Sequence, residues 1–82
     1  MNSKEILLDN KSKIHTTPLG VDRIKKNLKI YGNVVGFCVS MLQSEESEVT
    51  RTGKNYYVKI DDIVITINAY IYTIITAHKI KY

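Results

Sequence analysis

The stretch Tyr56-Tyr57-Val58-Lys59-Ile60-Asp61-Asp62-Ile63-Val64-Ile65-Thr66-Ile67-Asn68 decides the fold. Before the paired aspartates, Tyr56, Val58 and Ile60 fall on one side of an extended chain, with Tyr57 and Lys59 on the other. After them, Ile63, Ile65 and Ile67 alternate with Val64, Thr66 and Asn68. A period of two marks a strand with one buried face. Asp-Asp between two such runs leaves room only for a tight turn. Upstream, Val49-Thr50-Arg51-Thr52 leads into the turn cluster Gly53-Lys54-Asn55. Downstream, a turn near Ala69–Ile71 precedes a run rich in Thr and Ile, Tyr72 to Lys79. Short links between strands imply hairpins, hence a four-stranded antiparallel meander.

The period changes in the N-terminal half. Ser3 stands before Lys-Glu-Ile-Leu-Leu as an N-cap, with Ile6, Leu7 and Ile14 toward a core. His15-Thr16-Thr17-Pro18 breaks that helix. Pro18 disfavours the helical region for Thr17 and itself suits a first helical position. Thr17 therefore caps a second helix, from about Pro18 to Lys29. Val21, Ile24 and Leu28 form its apolar stripe, and Asp22, Lys25, Lys26 and Lys29 its polar face. After the turn at Tyr31-Gly32-Asn33, the residues Val34, Val35, Cys38, Met41 and Leu42 keep helical spacing to Gln43. The reading is a single α+β domain over residues 1–82. Two to three N-terminal helices, within about 3–43, pack on a C-terminal four-stranded antiparallel sheet, about 48–80.

Size and charge bound the function. Eighty-two residues make one modest core. One cysteine, Cys38, excludes an internal disulfide and any zinc site built on paired cysteines, and two histidines make a poor metal site. No metal or other cofactor is expected. Lys4 and Glu5 interrupt the only early apolar stretch, and no apolar run spans a bilayer, so a cytoplasmic protein without a membrane partner is expected. The net charge of +4 is uneven. Residues 1–32 carry net +4, residues 33–50 carry −3 through Glu45, Glu46 and Glu48, and residues 51–82 carry +3. Basic character permits nucleic-acid binding. A solvated surface explains it equally.

There is no phosphate-binding glycine loop, paired-histidine metal motif or nucleophile elbow. What stands out is polar residues in strands: Thr66 and Asn68 in the third, Thr76 and His78 in the fourth, near Tyr57 and Lys59 if the strands are neighbours. His15 sits at the helix junction and Arg23 follows in the second helix. A histidine can exchange protons near neutral pH, a cation can stabilise a phosphorane, and a tyrosine can stack on an unpaired base. Each has a plainer reading. His15 can satisfy backbone groups at the junction, Asn68 can close a turn, His78 can face solvent, and Lys25, Lys26 and Lys29 can be a solvated face. Cys38, on an apolar stripe, reads as core.

Taken together, His15-Thr16-Thr17, Leu19-Gly20 with Arg23-Ile24-Lys25 and Asn27-Leu28, Arg51-x-Gly53-Lys54-Asn55, and Ile65-Thr66-x-Asn68-Ala69 with Tyr72 to Lys79 resemble a family of small bacterial proteins of unknown function, common in Gram-positive genomes and mobile elements. Tyr56 stands where that family often has Trp, and Ile71 where it often has a small polar residue. More remotely, the element order is similar to the barnase/RelE-type ribonuclease-toxin architecture. That resemblance implies His15, Arg23, Lys54, Asn68, Thr76 and His78 as a cleft for metal-independent transesterification. Lys25, Lys26, Arg51, Tyr57 and Lys59 would then bind the nucleic acid. Two readings stay open: an RNA-directed domain, either ribonuclease or binder, and a non-enzymatic phage- or element-encoded protein that inhibits a host protein. Pairing with a second copy through an exposed strand, Val49–Thr52 or Tyr72–Lys79, is a third. The facing of the last strand is ambiguous, because Ile74 and Ile75 are adjacent.

Overall fold

Turn chemistry places the four strands in chain order. In a computed structural model describing residues 2–80, β1 (Glu48–Thr52), β2 (Asn55–Ile60), β3 (Ile63–Asn68) and β4 (Ile74–Lys79) form one antiparallel sheet in the order β1-β2-β3-β4. Gly53, at a φ of +59°, opens the two-residue turn between Thr52 and Asn55. A two-residue hairpin of matching twist demands such a left-handed residue at its first central position. Asp61 does the same at +51° between Ile60 and Ile63, aspartate being among the residues that tolerate this region.

The alternation puts Tyr56, Val58, Ile60, Ile65, Ile67, Ile74 and Ala77 on one buried face. Three helices cover it. They are α1 (Ser3–Asp9), α2 (Pro18–Leu28) and α3 (Val34–Gln43), with a 3-10 turn at Lys11–Lys13. Leu7, Ile14, Ile24 and Leu28, and Val34, Cys38 and Leu42 from α3, join Val58, Ile65, Ile67 and Ile74 in one cluster. α2 lies along β4, α1 lies against β1, and α3 touches both other helices. The connector into β1 is pinned from within. Ser47 Oγ donates to the carbonyls of Leu42 and Ser44 at 2.9 Å each, and Lys4 Nζ donates to those of Ser44 and Ser47.

Four expectations shift in detail. The first helix ends at Asp9 with Asn10 as its C-cap, and a separate 3-10 turn at Lys11–Lys13 follows, so the break comes before His15–Pro18 and Ile14 lies in extended chain. The N-cap of α1 is Asn2, whose side chain accepts from the Glu5 amide, and Ser3 is the first helical residue. The last strand starts at Ile74 instead of Tyr72, because Tyr72 takes a φ of +56° and cannot lie in a strand. The ambiguous pair is resolved by a bulge: Thr66 pairs with Thr76 but Ile67 pairs with Ile74, leaving Ile75 as the extra residue. Ile74 thus stays in the core while Thr76 and His78 keep the opposite face.

The open edge of β4 is closed by the chain just before α2. His15 runs parallel to β4, accepting from Ile74 N at 2.7 Å and donating its own amide to the Tyr72 carbonyl at 3.2 Å. Thr16 Oγ1 donates to the Ile74 carbonyl at 2.9 Å, and Asn27 Nδ2 to that of Ala77 at 3.2 Å. Thr17 then caps α2 by accepting from Gly20 N. Gly20 is buried against Thr16, and a Cβ there would collide with the hydroxyl that holds Ile74. In most helix interiors Gly→Ala gains up to about 1 kcal/mol. Here Gly20→Ala is expected to lose about 1–3 kcal/mol by displacing Thr16. Urea denaturation of the variant beside wild type checks the sign.

Candidate nucleic-acid interface

Among the described residues, none forms a second layer on the face of the sheet opposite the helices. Strand register arranges it in rows. Thr50, Tyr57, Thr66 and Thr76 cross the sheet in one row, and Glu48, Lys59, Val64 and His78 in the next. Thr52, Asn55 and Asn68 lie toward the β1–β2 turn. Four strands at about 4.8 Å spacing make this platform about 14 Å wide. Tyr57 is half-buried near its centre, and Lys59 and His78 are exposed. Thr66 is only 8% exposed, walled in by its neighbours. Asn55 Nδ2 reaches Tyr57 Oη at 3.4 Å, while Asn55 Oδ1 is buried without a hydrogen-bond partner. A buried acceptor left open is uncommon in folded proteins.

One end of the sheet is rich in cations and aromatics. Ala69 N donates to the Lys54 carbonyl at 2.8 Å, which joins the β1–β2 turn to the β3–β4 loop. Asn68 Oδ1 accepts from the amides of Tyr70 and Ile71 and fixes that loop. The Arg51 guanidinium lies 5.2 Å from the Tyr56 ring and 5.5 Å from the Tyr70 ring, and Lys13 Nζ lies 5.8 Å from that of Tyr72. Tyr70 and Ile71 project from the loop at 70% and 64% exposure.

The six residues of the expected cleft do not converge. His15 and His78 lie at different ends of β4. The first is bridged to Thr73 and the second pairs with Val64, so about 16 Å of strand separates Thr73 from His78. Both ring nitrogens of His15 are engaged, Nδ1 with the Lys13 carbonyl at 2.9 Å and Nε2 with Thr73 Oγ1 at 3.0 Å. Since a carbonyl can only accept, the hydrogen bond at Nδ1 requires its proton, and a neutral ring then accepts from Thr73 at Nε2. The residue ties the junction to β4. Asn68 spends its side-chain oxygen on the turn, and Lys54 sits exposed in the turn at the same end. Arg23 is exposed on α2, one turn before Asn27. Of the six, Thr76 and His78, with Asn68 at the turn end, lie on the platform face that carries Tyr57 and Lys59.

The expected nucleic-acid contacts also divide. Arg51 pairs with Tyr56 and so projects from the helix-covered side, away from Tyr57 and Lys59; its Nε donates to the Gly53 carbonyl. Lys25 and Lys26, with Asp22, Lys29, Ile30 and Tyr31, line an open groove of about 420 Å³ on the outside of α2. Their position in the last turn complements the negative end of the helix dipole. Sequence reasoning missed the Tyr70–Ile71 projection. The signal available was an aromatic and an aliphatic residue inside a turn, where polar residues are usual.

With this geometry the family can be placed. Residues 8–78 match the family described as Protein of unknown function (DUF3781). The chain belongs to that family. No curated protein and no solved structure gives a significant match. Family membership brings no activity with it. Among the described residues, no helix is long and apolar enough to cross a membrane, and no cluster of three metal-ligating side chains forms.

Cys38 stands apart from both surfaces. Burial pushes its thiol up from 9.0 to about 11. An unfolded chain releases that proton near 9.0 while the folded chain holds it until about 11. The stability Cys38 contributes is therefore complete below pH 9.0 and lost as pH rises toward 11. The stability difference between wild type and Cys38→Ala, measured by denaturant titration, should shrink across that window. Alkylation of the native thiol should be slow until denaturant is added.

Proposed function

We propose that this protein binds single-stranded RNA on the open face of its sheet. The observation that carries the reading is the row arrangement: Tyr57 at the centre of an uncovered antiparallel platform, flanked by Thr66 and Thr76, with Lys59 and His78 one row away. An aromatic ring on a sheet gives an unpaired base a surface to stack on, and splayed bases offer edges to threonine hydroxyls and amide groups. Lys59, with Lys54 at the turn, supplies charge for the phosphates. Glu48 beside Lys59 tempers it, so the expected affinity is modest. Cleavage is not part of the proposal, since transesterification needs a base and an acid on either side of one phosphodiester and the two histidines are too far apart to supply them.

Titration of a labelled single-stranded RNA oligonucleotide tests the reading. Tyr57→Ala should weaken binding by about tenfold or more, and Lys59→Ala should weaken it less while flattening the salt dependence by about 0.7 in log–log slope. Binding that is independent of salt, or indifferent to Tyr57, would sink the idea.

A second reading, inhibition of a host protein, has its own support in the fixed loop that projects Tyr70 and Ile71 beside Arg51. Tyrosine and arginine are common anchors at protein interfaces. If this loop is the working surface, Tyr70→Ala with Ile71→Ser abolishes capture of a stoichiometric partner and leaves RNA titrations unchanged.

A further inference from the structure

The two edges of the sheet are treated differently. β4 is sealed by His15, Thr16 and Asn27. β1 is not. Its two-residue turn closes on Thr52 and Asn55, which directs the backbone groups of Thr52, Thr50 and Glu48 toward β2 and those of Val49 and Arg51 outward. Among the described residues, no hydrogen bond from another segment reaches the outward amides and carbonyls of Val49 and Arg51. An edge of this kind is a template for another strand.

The charge along β1 selects the strand. Its approach is acidic, at Glu45, Glu46 and Glu48, and its exit is basic, at Arg51 and Lys54. A second copy laid antiparallel brings the acidic approach of each chain against the basic exit of the other. A parallel copy would align like with like. Registers are limited further, because faces must match and shifts therefore come in steps of two residues. With the axis at Thr50, Val49 meets Arg51 of the second copy twice, all four outward residues of the two strands pair, Thr50 faces its own copy, and Glu46 lies toward Lys54 across the contact. One step toward the C-terminus sets Arg51 against Arg51. One step back sets Val49 against itself and asks Arg51 to pair at Ser47, whose carbonyl already accepts from Lys4. We infer that the protein pairs with a second copy of itself through β1, antiparallel about a two-fold axis at Thr50, into a continuous eight-stranded sheet.

A five-residue edge makes a small interface, so the dimer is weak and salt-sensitive. This inference does not rest on RNA binding, although it would double the length of the open platform. Sedimentation velocity of the full chain at low ionic strength, from low to high micromolar concentration, reads it directly. Wild type should pass from monomer to dimer and shift back toward monomer with added salt. Lys54→Glu and Glu46→Lys, both at exposed positions outside the strands, each place like charges at both symmetric contacts and should weaken association by about tenfold. Mixing the two variants restores opposite charges at both contacts and should restore the dimer. A wild type that stays monomeric throughout overturns the inference and leaves the edge to a foreign strand. A dimer untouched by either variant, or variants not rescued by mixing, overturns it by placing the contact elsewhere.

Discussion

The parallel bridge between His15 and Thr73 is the constraint on which the rest of the structure depends. Through it the chain before α2 becomes an added strand on the edge of β4. The same few residues then set the helix. Thr16 spends its hydroxyl on Ile74, Thr17 spends its own on the first turn of α2, and Gly20 keeps the space that lets both happen. Asn27 repeats the tie two turns later. An antiparallel sheet of four strands would otherwise present two open edges, and its largest helix would be held by apolar contact alone. Side-chain bonds to the strand fix the position of α2 along β4 as well as its distance. They also explain why the stretches quoted in sequence for a family likeness, His15-Thr16-Thr17, Leu19-Gly20 and Asn27-Leu28, carry little chemistry: they are the seam between helix and sheet.

The open platform is a consequence of one extra residue. β4 must deliver Ile74 and Ala77 to the core, which are three apart, although a regular strand returns to the same face every two. The bulge at Ile75 absorbs the difference. It lets both residues stay buried while Thr76 and His78 stand beside Thr66 and Val64 on the open face. Without the bulge, keeping Ile74 inside would send Thr76 and His78 into the helical layer, and the row through Tyr57 would end at Thr66. Core packing and the composition of the candidate interface are thus fixed by one irregularity, and neither can be altered alone.

This irregularity also marks how far sequence alone reaches. The hairpins were legible because period two and two-residue turns are local, as were the limits of α2 and α3, where Thr17 and Asn33 cap without tertiary help. The shared face of Tyr57, Lys59, Thr66 and Thr76 followed from the same alternation. A bulge leaves almost no local trace: adjacent isoleucines signal only that one strand has two ways to face. Arg51 stands with Tyr57 among the expected nucleic-acid contacts, yet pairing opposite Tyr56 turns it to the other side. His15 attracted a catalytic reading because histidine titrates near neutrality. Its engagement by Lys13 and Thr73 depends on contact with a residue 58 positions away, which no local pattern contains.

The chemistry of the open face bears on the kind of partner proposed for it. Were it waiting for another layer of protein, it would carry an apolar stripe like that of the covered face. It carries Glu48, Thr50, Thr52, Asn55, Lys59, Thr66, Asn68, Thr76 and His78 around one tyrosine, and among the described residues Val64 is the one aliphatic side chain in regular pairing there. Covering such a surface with apolar side chains would strand hydroxyls and a charge away from water, at a cost that a small contact could not offset. A ligand that stacks on one ring, brings its own donors and acceptors, and leaves the lysine solvated beside a phosphate meets no such penalty. The apolar exposure of Tyr70 and Ile71 is confined to the loop at the end of the sheet, outside these rows. Each surface therefore suits a different ligand, and the two can be separated by substitution because they share no side chain.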